Sequence, residues 1–265
     1  MEIERIRKIL EGDVLAAAKL MRDIENGKPE IAVIMEQLRL RAGHAFVVGI
    51  TGAAGSGKST LLGALIPYFR KTENMIVGVV AVDPTSPVTG GAFLGDRLRM
   101  QGEDVDEGVF IRSLASRGWK GGLSETAADI VLVMDAMGKD IVFIEAVGSG
   151  QADVDIAGLS DCCIDILVPG MGDDIQLMKA GIMEVADIFA VNKADREGAE
   201  NLKALLEAVI EMREHSPAGW KPPVILTEAT TGNGAADLGA AILRHREYLE
   251  KSGKLEEKRR ERKTG

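Results

Sequence analysis

The chain has 265 residues, 46% of them hydrophobic, which suits one large domain with a substantial core, or one domain with a small appendage. Its 32 basic and 41 acidic residues leave a formal charge of −9, which speaks against nucleic acid as a partner. The opening MEIERIRKIL lacks a signal-peptide core and no run of about 18 apolar residues occurs, so a cytoplasmic chain with no membrane span is expected.

Residues 2–42 read as helices. Ile3, Ile6 and Ile9/Leu10 recur at helical spacing, Gly12 stops that run, and Asp13 can cap the next helix, VLAAAKLMRDIE. KPEIAVIMEQLRLR makes a third, with Pro29 near its first turn. From residue 44 short apolar runs alternate with helical periods. Strands are expected at 45–51, 75–83, 109–114, 140–147, 163–169, 186–192 and 223–229. Their near-continuous Val and Ile content suits strands covered on both faces, and the intervening helices suit parallel crossovers. The expected fold class is therefore α/β, three-layered, with a mainly parallel central sheet. We divide the chain into an N-terminal helical extension (1–43), a nucleotide-binding domain (44–232) and a C-terminal helix with a charged tail (233–265). The tail from Lys251 holds seven basic and three acidic residues and reads as a solvated helix end. Cys162 and Cys163 are the only cysteines; being adjacent, they allow neither a disulfide framework nor a CxxC metal site, and buried strand thiols are expected.

GAAGSGKS (52–59) fits G-x-x-x-x-G-K-[ST] between an apolar strand and the helical TLLGALIPYF, the context that a phosphate-binding loop requires. Gly52, Ala54, Gly55, Ser56, Gly57 and Thr60 would offer backbone N–H groups and a helix N-terminus to the phosphates. Lys58 should reach the β- and γ-phosphates, and Ser59 should ligate Mg²⁺. That makes a P-loop NTPase fold the expected scaffold.

Two further segments complete the reading. AVNKAD places Asn192, Lys193 and Asp195 at a strand end, about 130 residues beyond the loop. A carboxylate at Asp195 can accept from both N1–H and N2–H₂ of guanine, a donor pair adenine lacks, and the Lys193 stem can lie along the purine face. The expected ligands are thus GTP and GDP. In DIVFIEAVGSGQ the strand ends in Glu145, with Gly148 three residues on, a D-x-x-G arrangement with Glu for Asp. The carboxylate would face Mg²⁺ and the Gly148 N–H the γ-phosphate. Asp83 and Asp96 are further carboxylates for the ion, although Mg²⁺ takes few and keeps waters. Lys58, Asp83 and Glu145 are the candidate catalytic residues.

The strings AVDPTSPVTGGAFLGDRLRM, RSLASRGWKGGLSETAADIV, EAVGSGQADVDI and PGMGDDIQLMKAGIMEVADIFAVNKAD resemble the MeaB/ArgK group of P-loop GTPases, over about residues 10–245. The resemblance implies a chaperone of an adenosylcobalamin-dependent acyl-CoA mutase. In that family GTP binding and hydrolysis gate cofactor delivery and protect the mutase, with hydrolysis slow alone and faster with the partner. It implies Lys58 and Ser59 at the phosphates, Asp83, Asp96 and Glu145 around Mg²⁺, and Asn192 and Asp195 on guanine. It also implies switch segments at 84–100, 148–158 and 170–182. Departures are Ala146 where the family has Thr, Trp119 where it has His, and Glu228–Ala229 where it has Ser-Ala. Ala229 can still present its N–H to the base oxygen. Family members form a homodimer through a C-terminal helical arm; here the helix ADLGAAILRHREYLEKSGKLEEKRR is expected to run straight on in place of that arm, a further departure, so the homodimer is an expectation of the resemblance alone. Two rivals stand beside this reading. One is a nickel-insertion metallochaperone, which needs a His/Cys site, while His44, His215 and His245 lie far apart in the sequence. The other is an ArgK-type phosphotransferase, for which no separate acceptor motif is found.

Overall fold

The computed structural model describes residues 2–83, 106–115, 123–145, 151–170, 185–212 and 219–264. Seven strands form one sheet: β1 (Phe46–Gly52), β2 (Val77–Asp83), β3 (Val109–Ala115), β4 (Ile141–Glu145), β5 (Cys162–Leu167), β6 (Ile188–Asn192) and β7 (Val224–Thr227). Every pairing is parallel, in the order β3-β2-β4-β1-β5-β6-β7. The seven strand segments expected from the sequence are the seven observed, with ends shifted by a few residues. Parallel pairing follows from their composition. A strand buried on both sides carries no polar alternation, and all seven residues of β1 are buried.

Alternation along each strand still assigns the two faces. Phe46, Val48 and Ile50 of β1 and Ile141 and Phe143 of β4 pack with α4 (Lys58–Pro67) and α8 (Ala235–Ser252). Val47, Val142 and Ile144 point the other way. They share a cluster with α5 (Leu123–Ala136), α6 (Gln151–Leu159) and the N-terminal helices α1 (Glu2–Leu10), α2 (Val14–Glu25) and α3 (Ala32–Arg39). On that same side α7 (Ala199–Met212) covers Phe189 and Val191 of β6. The result is a helix–sheet–helix sandwich. The expected cap of α2 forms: the Asp13 carboxylate accepts from Ala16 N at 2.8 Å. Pro29 opens a short 3-10 turn rather than α3 itself, because the chain must redirect between α2 and α3.

The C-terminal tail departs from its expected solvated state. Gly253, at φ +74°, breaks the helix, and α9 (Lys254–Thr264) folds back on the sheet. Leu255 is buried there, and Lys258 donates to Asp161 O at 3.1 Å. Arg259 donates to Ala45 O at 2.8 Å and reaches the fully buried Asp161 carboxylate at 3.2 Å. Asp161, at the foot of β5, thus recruits two of the basic residues that a charge count assigns to solvent, Arg259 through its buried carboxylate and Lys258 through its backbone carbonyl.

Candidate functional site

The site lies outside the carboxyl ends of β1, β4 and β6, where a parallel sheet leaves a crevice. β1 delivers the loop 52–57, whose tip, Ala53 to Gly55, is exposed. Two glycines in it are sterically required. Gly52 has φ +134°, and a Cβ there would stand 2.5 Å from Ile166 O on β5. Gly57 has φ +94°, and a Cβ would stand 2.4 Å from Asn192 Nδ2. The helix α4 begins at the next residue, so its N-terminus opens into the crevice.

Lys58 is 6% exposed, and its ammonium donates to Gly52 O at 2.8 Å and Ala53 O at 3.0 Å. Ser59 Oγ, one residue on, donates to Glu145 Oε1 at 2.5 Å. Glu145 ends β4 on the face that α4 covers, which is why the two meet across 86 residues of sequence. A hydroxyl and a carboxylate together are hard oxygen donors, the kind Mg²⁺ takes. Asp83 ends β2, whose Ala81 pairs with Glu145, so its backbone belongs to the same crevice. Asp96 and Gly148 lie outside the described residues, as do all of 84–100, residues 148–150 of the segment 148–158 (whose remainder lies in α6), all but Gly170 of 170–182, and the departures Ala146 and Trp119.

Asn192 ends β6 with 1% exposure and ties three segments together. Its Nδ2 donates to Ser56 O in the phosphate loop at 2.8 Å. Its Oδ1 accepts from Thr227 Oγ1 at 3.2 Å and from Ala229 N at 3.1 Å. Lys193, held at φ +59°, donates from Nζ to Gly55 O at 2.8 Å, so its stem runs along the loop. Asp195 is exposed at the crevice rim. The Ala229 N–H therefore differs from its expected state: it is turned onto Asn192 rather than left open for a base oxygen. Beside it Glu228 braces the 228–233 turn, its carboxylate accepting from Thr231 Oγ1 at 3.0 Å and Asn233 Nδ2 at 3.1 Å.

The motif enlists Ser56 for its backbone N–H, but the residue also acts through its backbone carbonyl, which no side-chain pattern announces. One participant escapes motif reading altogether. Thr227 had one available signal, a hydroxyl residue closing an apolar strand, and it is 1% exposed with its hydroxyl on Asn192.

Sequence distance also hid a cluster at the opposite end of the sheet. Cys162, Asp187 and His245 bring one ligand atom each within 4.8 Å of one another. His245 Nε2 lies 3.4 Å from Asp187 Oδ1, and Lys258 Nζ lies 3.5 Å from Asp187 Oδ2. Burial pushes the Cys162 thiol well up and the His245 imidazole down to about 4. Neutral thiol, neutral imidazole and a carboxylate–ammonium pair already balance, and Trp220 packs on the imidazole at 4.7 Å between ring centres. The other ring nitrogen, His245 Nδ1, is buried without a hydrogen-bond partner among the described residues.

Among the described residues no helix is long and apolar enough to cross a membrane. The family model described as "Methylmalonyl Co-A mutase-associated GTPase MeaB" matches residues 17–265. A putative GTPase of Pyrococcus horikoshii is 51% identical over 261 residues, covering 98% of this chain and 82% of that protein. The mouse protein named methylmalonic aciduria type A homolog, mitochondrial, is 31% identical over 217 residues, 81% of this chain and 52% of its own length. Among solved structures, one described as an LAO/AO transport system kinase superposes with a TM-score of 0.80 at 26% identity, covering 99% of this chain and 80% of that one. With the strand order, the phosphate loop and the NKAD segment all in place, these likenesses settle the affiliation: the chain belongs to the MeaB family of GTPases.

Proposed function

We propose that the protein binds and hydrolyses GTP as the chaperone of an adenosylcobalamin-dependent acyl-CoA mutase, gating cofactor loading and protecting the mutase. Support for the partner is the family's own description as mutase-associated. The observation that carries the guanine-nucleotide reading is the Asn192 carboxamide, which joins the phosphate loop to the NKAD and 227–229 segments through bonds of 2.8–3.2 Å. A ligand spanning base and triphosphate would meet both halves already fixed in register.

In this reading Asp195 selects guanine, and the Lys193 stem covers the base. The Lys58 ammonium, now on Gly52 and Ala53 carbonyls, exchanges those acceptors for β- and γ-phosphate oxygens. Ser59, Glu145, Asp83 and Asp96 are the residues that would hold Mg²⁺, the Ser59–Glu145 pair supplying the described part of that set. The ion, when bound, offsets charge on the transferring phosphoryl group. Glu145 and the backbone N–H groups of residues 55–60 then orient the phosphates for attack by water. Hydrolysis is expected to be slow alone, and electrostatic preorganisation on docking of the mutase supplies the acceleration. A homodimer and a cytoplasmic location complete the proposal.

The test is GTP turnover by the purified protein, alone and with the adenosylcobalamin-dependent mutase of the same source, with ATP as control. A GTP-specific rate that rises about tenfold or more with mutase is the expected result. Tight GTP binding without stimulation by that mutase would leave the GTPase and remove the partner. Transfer of the γ-phosphate to a metabolite or protein instead of water would favour the phosphotransferase.

A further inference from the structure

At the amino-terminal ends of β5 and β6, a strand's length from the nucleotide crevice, three chain segments converge. Cys162 opens β5, Asp187 immediately precedes β6, and His245 lies on α8. The charges of this trio balance without an ion, but its hydrogen bonds do not. His245 is 1% exposed, and its Nδ1 is buried with no hydrogen-bond partner. Among the described residues its Nε2 has the 3.4 Å approach to Asp187 Oδ1 and no closer polar contact. Cys162 is fully buried, and among the described residues its thiol makes no hydrogen bond. Burying polar groups without partners is costly, and an apolar side chain at 245 would fill the space without that cost.

Asp187, by contrast, is fixed at every polar atom but one. Its N–H donates to Cys163 O at 2.8 Å, and its carbonyl accepts from Trp220 Nε1 at 2.8 Å. Its Oδ2 accepts from Cys163 N at 2.9 Å and lies 3.5 Å from the Lys258 ammonium. That leaves Oδ1, the oxygen facing the imidazole. A carboxylate oriented by such outer hydrogen bonds is how proteins hold a metal ligand in place. A thiolate, an imidazole and a carboxylate together suit a borderline ion of the zinc class rather than Mg²⁺, which takes oxygen. Bonds of about 2.0–2.3 Å in a tetrahedral site space the ligand atoms about 3.3–3.8 Å apart. The His245–Asp187 pair already stands at 3.4 Å. With all three ligand atoms inside 4.8 Å, Cys162 Sγ has to close by no more than about 1.5 Å. The same residue types can make a nucleophile triad, but a fully buried thiol whose proton is held by burial meets no substrate.

We propose that Cys162, Asp187 and His245 form a site for one Zn²⁺ ion, separate from the nucleotide crevice. On binding, a Zn–S bond replaces the Cys162 S–H bond and the proton leaves to solvent. His245 and Asp187 contribute lone pairs with no change of protonation. Water takes the fourth position on the side of Asp187 and Lys258, the part-exposed members of the group. The ion ties β5 and β6 to α8, and the site stands whether or not the partner is a mutase.

The test is titration of the full chain, stripped with EDTA, with Co²⁺ and then Zn²⁺ in excess Mg²⁺. The chain has two cysteines, so a thiolate-to-cobalt charge-transfer band reports one of two sulfur atoms. One equivalent of Co²⁺ should produce that band, and one equivalent of Zn²⁺ should remove it. Cys162→Ser should abolish the band, and Cys163→Ser should keep it. Asp187→Asn, which retains an acceptor for Cys163 N, and His245→Gln should each weaken Zn²⁺ at least about tenfold in competition with a chromophoric chelator. Asp187 is part-exposed, so its variant tests the site even if the two buried positions tolerate change poorly. No thiolate band at one equivalent overturns the proposal. So does a band that survives in Cys162→Ser and is lost in Cys163→Ser, or a Zn²⁺ affinity unchanged in Asp187→Asn.

Discussion

Replacing Asn192 by Ala tests the coupling of the two halves of the nucleotide site. The carboxamide is 1% exposed and serves three partners: Ser56 O, Thr227 Oγ1 and Ala229 N. Truncation strands all three. A buried polar group left unsatisfied costs about 1–3 kcal/mol. The Thr227 hydroxyl can turn to another acceptor, which leaves the Ala229 N–H and the Ser56 carbonyl. The expected loss is therefore about 3 kcal/mol of unfolding free energy, read by urea titration. Affinity for GDP, measured with a fluorescent analogue, should fall by about ten- to a hundredfold, because the phosphate loop is no longer held against β6. Asn192→Asp sharpens the point. It keeps an acceptor for Thr227 and Ala229 but sets a carboxylate oxygen against Ser56 O, so nucleotide affinity should suffer more than stability. An Asn192→Ala protein that loses less than about 1 kcal/mol and binds GDP as before would refute the reasoning.

Lys58→Ala removes the ammonium intended for the transferring phosphate and should lower GTP affinity by at least about a hundredfold, with micromolar binding in a direct titration as the contrary result. Asp195→Asn should weaken GTP and favour xanthosine triphosphate, read by competition between the two nucleotides; unchanged GTP affinity would remove Asp195 from the base. Arg259→Ala takes a guanidinium from the buried Asp161 and from the Ala45 carbonyl and should destabilise by about 3 kcal/mol, whereas a loss near zero would mean that Leu255 and Lys258 suffice to hold α9. His245, held in the fold at about 4 against an ordinary 6.5 by burial near Lys258, binds fewer protons folded than unfolded. Its contribution is complete above pH 6.5 and is lost as pH falls towards about 4, about 3 kcal/mol in all, and His245→Gln should flatten unfolding free energy over that window.

The parts of the fold legible in the sequence are those whose physics is local. Each strand announces itself as an apolar run because a parallel strand must be buried on both faces, and β1, β4, β5 and β6 are buried throughout. The phosphate loop is legible because its two close approaches, Gly52 to Ile166 O and Gly57 to Asn192, leave no room for a side chain. The same spacing fixes which residue ends each strand, so Glu145 and Asn192 could be placed at the crevice before any pairing was known.

What stayed hidden depends on partners distant in sequence or on backbone atoms. The tail from Lys251 carries seven basic residues, and a charge count assigns such a run to solvent. Its actual position is set by Asp161, more than ninety residues away, fully buried at the foot of β5 and in need of a cation. A motif reading puts the Ala229 N–H at the base, but in the fold that N–H meets the Asn192 carboxamide, the acceptor that lies nearest. Both cases follow one rule. A motif says which chemistry a side chain can perform, while the satisfaction of buried polar groups decides which partner it serves. Asn192 is where the two coincide. The residue that a guanine motif would assign to the base uses its described hydrogen bonds to fix the phosphate loop, which leaves the exposed Asp195 carboxylate, three residues on, as the group proposed above to read the base.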